Sequence, residues 1–167
     1  MTPQVALITG ENTGIGEAIA CSLAIDHGYH VIIGLRDLGA GYSVAKHGQR
    51  NVLLNSAAIF LESDPRNARL TVRQRIEQTF VPNVFGQAGF TEDMLPLLRK
   101  AGETGVLRIV FVSSRLGSLA NALDPNAPFY ENDFRSYNYS KAALNMPALN
   151  YDRMAWKTLI APLRLFL

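Results

Sequence analysis

The sequence has one cysteine, three histidines and few charged residues, and each scarcity excludes a class of protein. A single cysteine excludes an internal disulfide framework. The histidines lack the spacing of a metal site, so no metal is predicted. Sixteen Lys and Arg against 14 Asp and Glu give a net charge of +2. Because the basic residues are scattered along the chain, they argue against a nucleic-acid partner.

Long apolar runs are also missing. No stretch reaches the length of a transmembrane helix, and no basic segment precedes an apolar core near the N-terminus, so a cytoplasmic protein without a membrane partner is expected. At 167 residues, 48% of them hydrophobic, the chain is predicted to form one domain over 1–167. Cys21 lies among apolar residues of the first predicted helix and is expected to be buried.

Strands and helices alternate along the chain. Four apolar runs, many of them β-branched and continuous, predict buried strands at 5–9, 30–35, 51–55 and 106–112. Helices are predicted from the glycine turn to Ile25, over 71–80 and over 136–156, and a short helix candidate lies at 42–47. Pro82 is predicted to interrupt the helix that begins at residue 71, and Thr91 is predicted to cap a further helix. Residues 118–135 are predicted to form a long loop. This alternation predicts an α/β fold with a doubly wound parallel sheet of four to five strands in three layers.

A glycine-rich turn follows the first predicted strand. Val5 to Thr9 is apolar, and Gly10, Gly14 and Gly16 lie where this strand gives way to a helix. Gly10 can adopt the positive φ that such a turn needs, while Gly14 and Gly16 let backbone N–H groups approach a pyrophosphate closely. This context is typical of a dinucleotide-binding turn, although glycines at this spacing also occur by chance.

Arg36 and Asp37 follow the second predicted strand. In dinucleotide-binding folds this position meets the adenosine ribose, where an acidic residue suits a free 2′-hydroxyl and an arginine suits a 2′-phosphate. With Arg36 first, the pair favours NADP over NAD, because a guanidinium can bind phosphate through two parallel hydrogen bonds. A surface ion pair is the alternative interpretation.

Four polar residues are predicted near the carboxyl ends of the strands, where open α/β sheets bind ligands: Asn83, Ser114, Tyr137 and Lys141. Tyr137 and Lys141 are four residues apart and share a helix face, a spacing that also arises by chance. An ammonium beside the phenol is expected to lower the tyrosine pKa, so that Tyr137 exchanges a proton with a carbonyl oxygen. Ser114 would donate a hydrogen bond to that oxygen, and Asn83 would hold a water near Lys141. Tyr139 is expected to point elsewhere.

Five motifs follow one another in a recognisable order. They are Thr9-Gly10-Glu11-Asn12-Thr13-Gly14-Ile15-Gly16, Asn55-Ser56-Ala57-Ala58, Asn83-Val84-Phe85-Gly86, Ser113-Ser114 and Tyr137-Asn138-Tyr139-Ser140-Lys141. Over about residues 4–156 this order resembles the short-chain dehydrogenase/reductase family, in particular its carbonyl-reductase-like members. In the same order, the corresponding patterns of the family are Thr-Gly-x-x-x-Gly-x-Gly, Asn-Asn-Ala-Gly, an asparagine within a helix, a serine and Tyr-x-x-x-Lys.

The resemblance implies a Rossmann-like fold, NADP as cofactor with NAD less favoured, and a catalytic set of Asn83, Ser114, Tyr137 and Lys141. It implies cofactor contacts from Thr9, Gly10, Asn12, Thr13, Gly14, Ile15, Gly16, Arg36, Asn55, Ala57, Tyr137 and Lys141. It also implies a homo-oligomer formed through the helices at 71–101 and 136–156.

The chain departs from the family in two regions. A strand and a helix that the family has between Arg36 and Asn51 are missing, and residues 157–167 do not resemble the family's next strand and Pro-Gly turn. An internally shortened, C-terminally truncated domain is therefore expected. The predicted function is NADP(H)-dependent hydride transfer with a ketone, aldehyde or alcohol. The alternative is a catalytically impaired nucleotide-binding or interaction protein.

Overall fold

A parallel β-sheet lies at the centre of the fold. The computed structural model describes residues 4–10, 14–34, 52–102 and 107–157. Within these ranges the strands are β1 (Val5–Thr9), β2 (His30–Gly34), β3 (Val52–Asn55) and β4 (Arg108–Phe111), and they pair in the order β2-β1-β3-β4. The predicted doubly wound α/β fold is confirmed, with four strands in the described ranges.

Five α-helices accompany the sheet in the described ranges. They are α1 (Ile15–Ile25), α2 (Val72–Phe80), α3 (Gln87–Gly102), α4 (Leu119–Leu123) and α5 (Arg135–Lys157). Short 3₁₀ turns occupy Leu61–Ser63, Pro65–Asn67 and Arg115–Gly117, and a π-helical segment, Val81–Gly86, joins α2 to α3. None of the described helices combines the length and apolarity needed to cross a membrane.

Both faces of the sheet are buried. Successive side chains of a strand point to opposite faces, so neighbouring residues belong to different apolar clusters. Leu7, Leu53 and Ile109 belong to a large cluster with apolar residues of α3 and α5. Their neighbours Ile8 and Leu54 belong to a second cluster, which includes Ala20 of α1 and has Val110 packed against it. Helices therefore cover both faces, and the three-layer arrangement is confirmed.

Several predicted features of the helices differ from the structure. The chain is interrupted at Pro82 as predicted, but by π-helical geometry, and α3 then continues past Thr91. The predicted Thr91 cap is wrong, because Thr91 is buried inside α3 and donates to the Gln87 carbonyl at 2.8 Å. The predicted loop at 118–135 contains α4. Cys21 is exposed rather than buried. The helix candidate at 42–47 lies outside the described residues.

The strand register brings the last residues of the four strands to one level. Thr9 pairs with Gly34 of β2 and with Asn55 of β3, and Asn55 pairs in turn with Phe111 of β4. The chain order reverses between β1 and β3, so the segments that follow Thr9 and Asn55 leave the sheet side by side. In open α/β sheets this position is where ligands bind.

Candidate active site

The turn after β1 packs directly on the segment after β3. Gly10 has φ 74°, and a Cβ on it would lie 2.4 Å from the Cα atom of Ala57. Thr9 Oγ1 accepts hydrogen bonds from the backbone N–H groups of Ser56 and Ala57 at 3.2 and 3.3 Å. Only glycine meets both the dihedral and the space requirement at position 10.

The N-terminus of α1 faces this turn without a side-chain cap. Gly14 is the N-cap residue, with φ 73° and no side-chain hydrogen bond to the first turn. Among the described residues, no side-chain oxygen accepts a hydrogen bond from the following N–H groups, which begin at the exposed Ile15 and the buried Gly16. Free N–H groups and the positive end of the helix dipole suit a phosphate group. Together with the cradle around Gly10, they fit a dinucleotide pyrophosphate.

Asn55 and Ala57, at the end of β3, make different contacts. Asn55 is fully buried and donates through Nδ2 to Thr91 Oγ1 at 2.9 Å. Gln87 Nε2 donates to the Ala57 carbonyl at 2.6 Å. The side chain of Asn55 is thus turned toward α3, whereas the backbone of Ala57 lies against Gly10.

Tyr137 and Ser114 meet beyond the end of β4. The Ser114 hydroxyl interacts with the Tyr137 phenol and in part opposes the rise in the tyrosine pKa that burial causes. Ser114 Oγ also accepts the N–H of Leu116 at 3.2 Å, so its own proton is available to Tyr137. Tyr137 is half-buried in the first turn of α5, whereas Tyr139 is 49% exposed, in agreement with its predicted different direction.

Lys141 lies one turn further along α5, with its amine enclosed by the protein. The residue is 1% exposed, and Nζ donates to the Val112 carbonyl at 2.7 Å. The same nitrogen lies 5.6 Å from the centre of the Tyr137 ring. Burial, which disfavours the charged ammonium, lowers the pKa of Lys141 to about 8.

The predicted lowering of the tyrosine pKa is wrong. Burial raises the pKa of Tyr137, and the hydrogen bond with Ser114 opposes this only in part. The physical reason is the position of Lys141: its amine lies over the ring and is hydrogen-bonded to Val112, so it does not stabilise a negative charge on the phenol oxygen enough to offset burial. At neutral pH the phenol is protonated.

Asn83 joins two other segments through its side-chain amide. Its Oδ1 accepts from the N–H of Ile59 at 2.8 Å, and its Nδ2 donates to the Ile59 carbonyl at 2.9 Å and to Ser140 Oγ at 3.0 Å. Ser140 in turn donates to the Tyr137 carbonyl at 2.8 Å. Asn83 is therefore connected to the Tyr137–Lys141 turn through Ser140, and its predicted contact with a water near Lys141 stays a prediction.

The segment that carries Ser114 is held tightly against α5. Ser113 Oγ donates to Asn145 Oδ1 at 2.6 Å. A Cβ on Gly117 would lie 2.6 Å from the carbonyl carbon of Lys141, so the two backbones are in close contact. This contact fixes the distance between Ser114 and the face of α5 that carries Tyr137 and Lys141.

The structure thus brings Ser114, Tyr137 and Lys141 together and places Thr9, Gly10, Gly14 and Ala57 around the nearby turn. The predicted cofactor residues Asn12, Thr13 and Arg36 lie outside the described residues. Two residues beside the site have no local sequence signal, Phe60 and Glu62. Both contact the start of α5 from more than 70 positions away in the chain.

Replacing Lys141 with methionine tests the burial of its charge. Burial of the charged amine lowers the free energy of unfolding of the native protein at neutral pH. We expect the variant to lack this pH-dependent loss of stability. Below pH 8 the lysine is charged in both the folded and the unfolded state, and burial of the charge opposes folding fully. Between a folded pKa of about 8 and an unfolded value of 10.5, the unfolded state binds more protons, so the free energy of unfolding rises with pH.

The difference in stability between Lys141→Met and the native protein is therefore expected to shrink by about 3 kcal/mol from neutral pH to above pH 10. Urea denaturation across this range measures it. Exposed Arg69→Met is the control for loss of a cation. A difference that does not change with pH would contradict the assignment.

The chain is similar to known proteins in sequence and in structure. No protein-family model matches the chain. The chain is 32% identical over 181 positions to the short-chain dehydrogenase anuI of Penicillium roqueforti, covering 87% of this chain and 70% of that protein. It is 28% identical over 198 positions to the short-chain dehydrogenase/reductase eupG of a Phoma species, covering 90% and 71%.

The fold is similar to that of solved oxidoreductases. The NADPH-bound carbonyl reductase from chicken fatty liver superposes with a TM-score of 0.73 at 20% identity, covering 99% of this chain and 78% of that one. The 198-position alignment is longer than the 167-residue chain, so the Phoma protein has internal segments that this chain lacks. Internal shortening is thereby confirmed.

Proposed function

We propose that this chain, which belongs to the short-chain dehydrogenase/reductase family, is an NADP(H)-dependent oxidoreductase that interconverts a ketone or aldehyde with its alcohol. The proposal covers residues 1–167 as one nucleotide-binding domain. The observation that carries it is the group of Ser114, Tyr137 and Lys141 beside an uncapped helix N-terminus and a glycine turn. A hydroxyl pair of this kind can hold and protonate a carbonyl oxygen.

Four segments of the chain would hold the cofactor. The proposed pyrophosphate contacts are the backbone N–H groups around Gly10, Gly14, Ile15 and Gly16, with Thr9, Asn12 and Thr13 in the same turn. Asn55 and Ala57 would form the floor, Tyr137 and Lys141 would contact the nicotinamide half, and Arg36 would bind the 2′-phosphate. The NADPH in the chicken carbonyl reductase, which has a similar fold, supports the choice of NADP.

When bound, the nicotinamide would supply a hydride to the carbonyl carbon, or accept one from the alcohol. In the reducing direction Tyr137 donates its proton to the carbonyl oxygen, and its raised pKa keeps the phenol in the protonated form that this step requires. Ser114 donates a hydrogen bond to the same oxygen and holds it near the phenol. Lys141, charged at pH 7, reduces the cost of the phenolate that remains after transfer, although by less than burial raises that cost. Asn83 is proposed as the fourth member of the catalytic set, with Ser114, Tyr137 and Lys141.

Wild-type protein tests the proposal most directly. We expect NADPH to bind, and its absorbance at 340 nm to fall when small ketones and aldehydes are added, with slower or no reaction with NADH. Cofactor affinity is measured by fluorescence titration of NADPH, and identification of the alcohol product excludes cofactor decay. Cofactor binding without turnover across the panel would instead favour the nucleotide-binding alternative, which the missing internal segments also suggest.

A homo-oligomer formed through the helices at 71–101 and 136–156 is part of the proposal. This part of the chain carries apolar side chains that the described structure leaves exposed, including Val81, Phe85 and Leu149 at 59%, 63% and 42%. Exposed apolar surface of this kind is typical of subunit contacts.

A further inference from the structure

The segment after β3 contacts the start of α5, although the two are far apart in sequence. Glu62 Oε1 accepts the N–H of Ser136 at 2.8 Å and its hydroxyl at 2.5 Å, and it lies 3.4 Å from the N–H of Tyr137. The first N–H groups of a helix have no partner within the helix. In α5 the acceptor that meets them is thus a carboxylate supplied by a residue 74 positions earlier.

The same segment packs on the ring of Tyr137. The rings of Phe60 and Tyr137 are stacked, with centroids 4.4 Å apart and planes 23° apart. Phe60 also meets Phe134, just before the helix, edge-on at 4.9 Å. Tyr137 is therefore held at two places, its backbone by Glu62 and its ring by Phe60.

The segment is itself anchored, so it can hold α5 in a defined position. Asn83 makes two hydrogen bonds with the backbone of Ile59, next to Phe60. On the other side, Thr79 Oγ1 of α2 lies 3.2 Å from Ser136 Oγ. Glu62 thus reaches α5 from a backbone that is tied to the π-helical segment, and α5 is itself tied to α2 at Ser136.

We propose that Glu62 is a positioning residue for Tyr137. By accepting the N–H groups of the first turn of α5, Glu62 sets the rotation of that turn and with it the direction of the Tyr137 hydroxyl toward Ser114. The carboxylate also lies at the positive end of the helix dipole, which favours a negative charge there. This inference rests on the proposed function, because it assigns Glu62 a role through the proton donor of that reaction.

Glu62→Ala, Glu62→Gln and Glu62→Asp separate position from charge. Only Oε1 makes the described hydrogen bonds, while Oε2 is buried without a partner among the described residues. Glutamine keeps an oxygen at that position and is expected to retain most activity. Alanine and the shorter aspartate are expected to lower kcat by about 10- to 100-fold, since a shift of about 1 Å in a reacting group costs up to that much.

The KM and the dissociation constant for NADPH are expected to change by less than about twofold in all three variants, because the described hydrogen bonds of Glu62 are with Ser136 and Tyr137 and not with the glycine turn. Exposed Glu131→Ala is the control. Undiminished kcat in Glu62→Ala, full rescue by aspartate but not by glutamine, or parallel loss of kcat and NADPH affinity would each overturn the inference.

A second measurement does not depend on turnover. The ultraviolet difference titration of the protein against its Tyr137→Phe variant reports the ionisation of Tyr137. Its titratable neighbour, the Lys141 amine, is already neutral at the pH where this phenol ionises. In Glu62→Ala we expect the pKa of Tyr137 to fall toward its ordinary value, because a displaced first turn exposes the phenol. An unchanged titration overturns the positioning role, whereas absence of turnover in the wild-type protein overturns only the proposed reaction.

Discussion

Replacing Tyr137 with phenylalanine is expected to lower kcat by about 10²- to 10⁴-fold, the usual contribution of a positioned proton donor. The substitution removes one oxygen and leaves the ring that stacks on Phe60 at 4.4 Å. The melting temperature should therefore stay close to that of the native protein. Steady-state kinetics with the best carbonyl substrate, together with thermal denaturation, measure both.

Tyr139→Phe is a closely matched control for this variant. It makes the same chemical change two residues along the same helix, at a side chain that is 49% exposed. We expect its activity to equal that of the native protein. If Tyr137→Phe keeps more than about a tenth of the native kcat, the phenol is not the proton donor and the mechanism has to be abandoned.

Substituting alanine for Gly10 is expected to destabilise the protein by about 2–5 kcal/mol, from the left-handed backbone and from overpacking. A Cβ would meet Ala57 Cα at 2.4 Å, Ala57 N at 2.5 Å and the carbonyl carbon of Ser56 at 2.9 Å. These are backbone atoms at the ends of paired strands, so they cannot move aside without separating β1 from β3. NADPH binding should be lost at the same time.

Two other glycines separate the contributions to this effect. Gly14 has φ 73°, but no described atom lies within 4 Å of its Cβ position, so Gly14→Ala is expected to show the dihedral cost alone, about 1–2 kcal/mol. Gly89 lies within α3, also with no atom of the described residues within 4 Å of its Cβ position, and Gly89→Ala is expected to stabilise the helix by about 0.5–1 kcal/mol. Urea denaturation measures all three. Equal effects at positions 10 and 14 would rule out the steric argument.

The sheet and the centre of the site could be predicted from sequence because both depend on local patterns. Continuous apolar runs placed β1 to β4 within about two residues of their observed bounds. The helical spacing of Tyr137 and Lys141 put them on one face, and the end of β4 placed Ser114 nearby. These features depend on strand and helix periodicity, which a single sequence contains.

The features that were missed depend on contacts between distant segments. Thr91 looked like a cap because its type favours helix starts, yet it is buried inside α3 as a partner of Asn55. The pKa of Tyr137 depends on burial and on the direction of the Lys141 amine, which a spacing of four residues does not specify. Glu62 has no signal of its own, because the N–H groups that it accepts lie 74 positions away.

The pairing of Asn83 with Ile59 has a consequence for which side chains position 83 tolerates. The carboxamide presents one acceptor to the Ile59 N–H and one donor to its carbonyl, at 2.8 and 2.9 Å, just as a peptide group of a neighbouring strand would. The Asn83 side chain, from the π-helical segment, thus pairs with the backbone of Ile59 beyond the end of β3. Aspartate has the same shape but no donor when ionised, and it would face a carbonyl oxygen with a negative charge. Hydrogen bonding alone therefore selects asparagine here, whether or not this residue takes part in the chemistry.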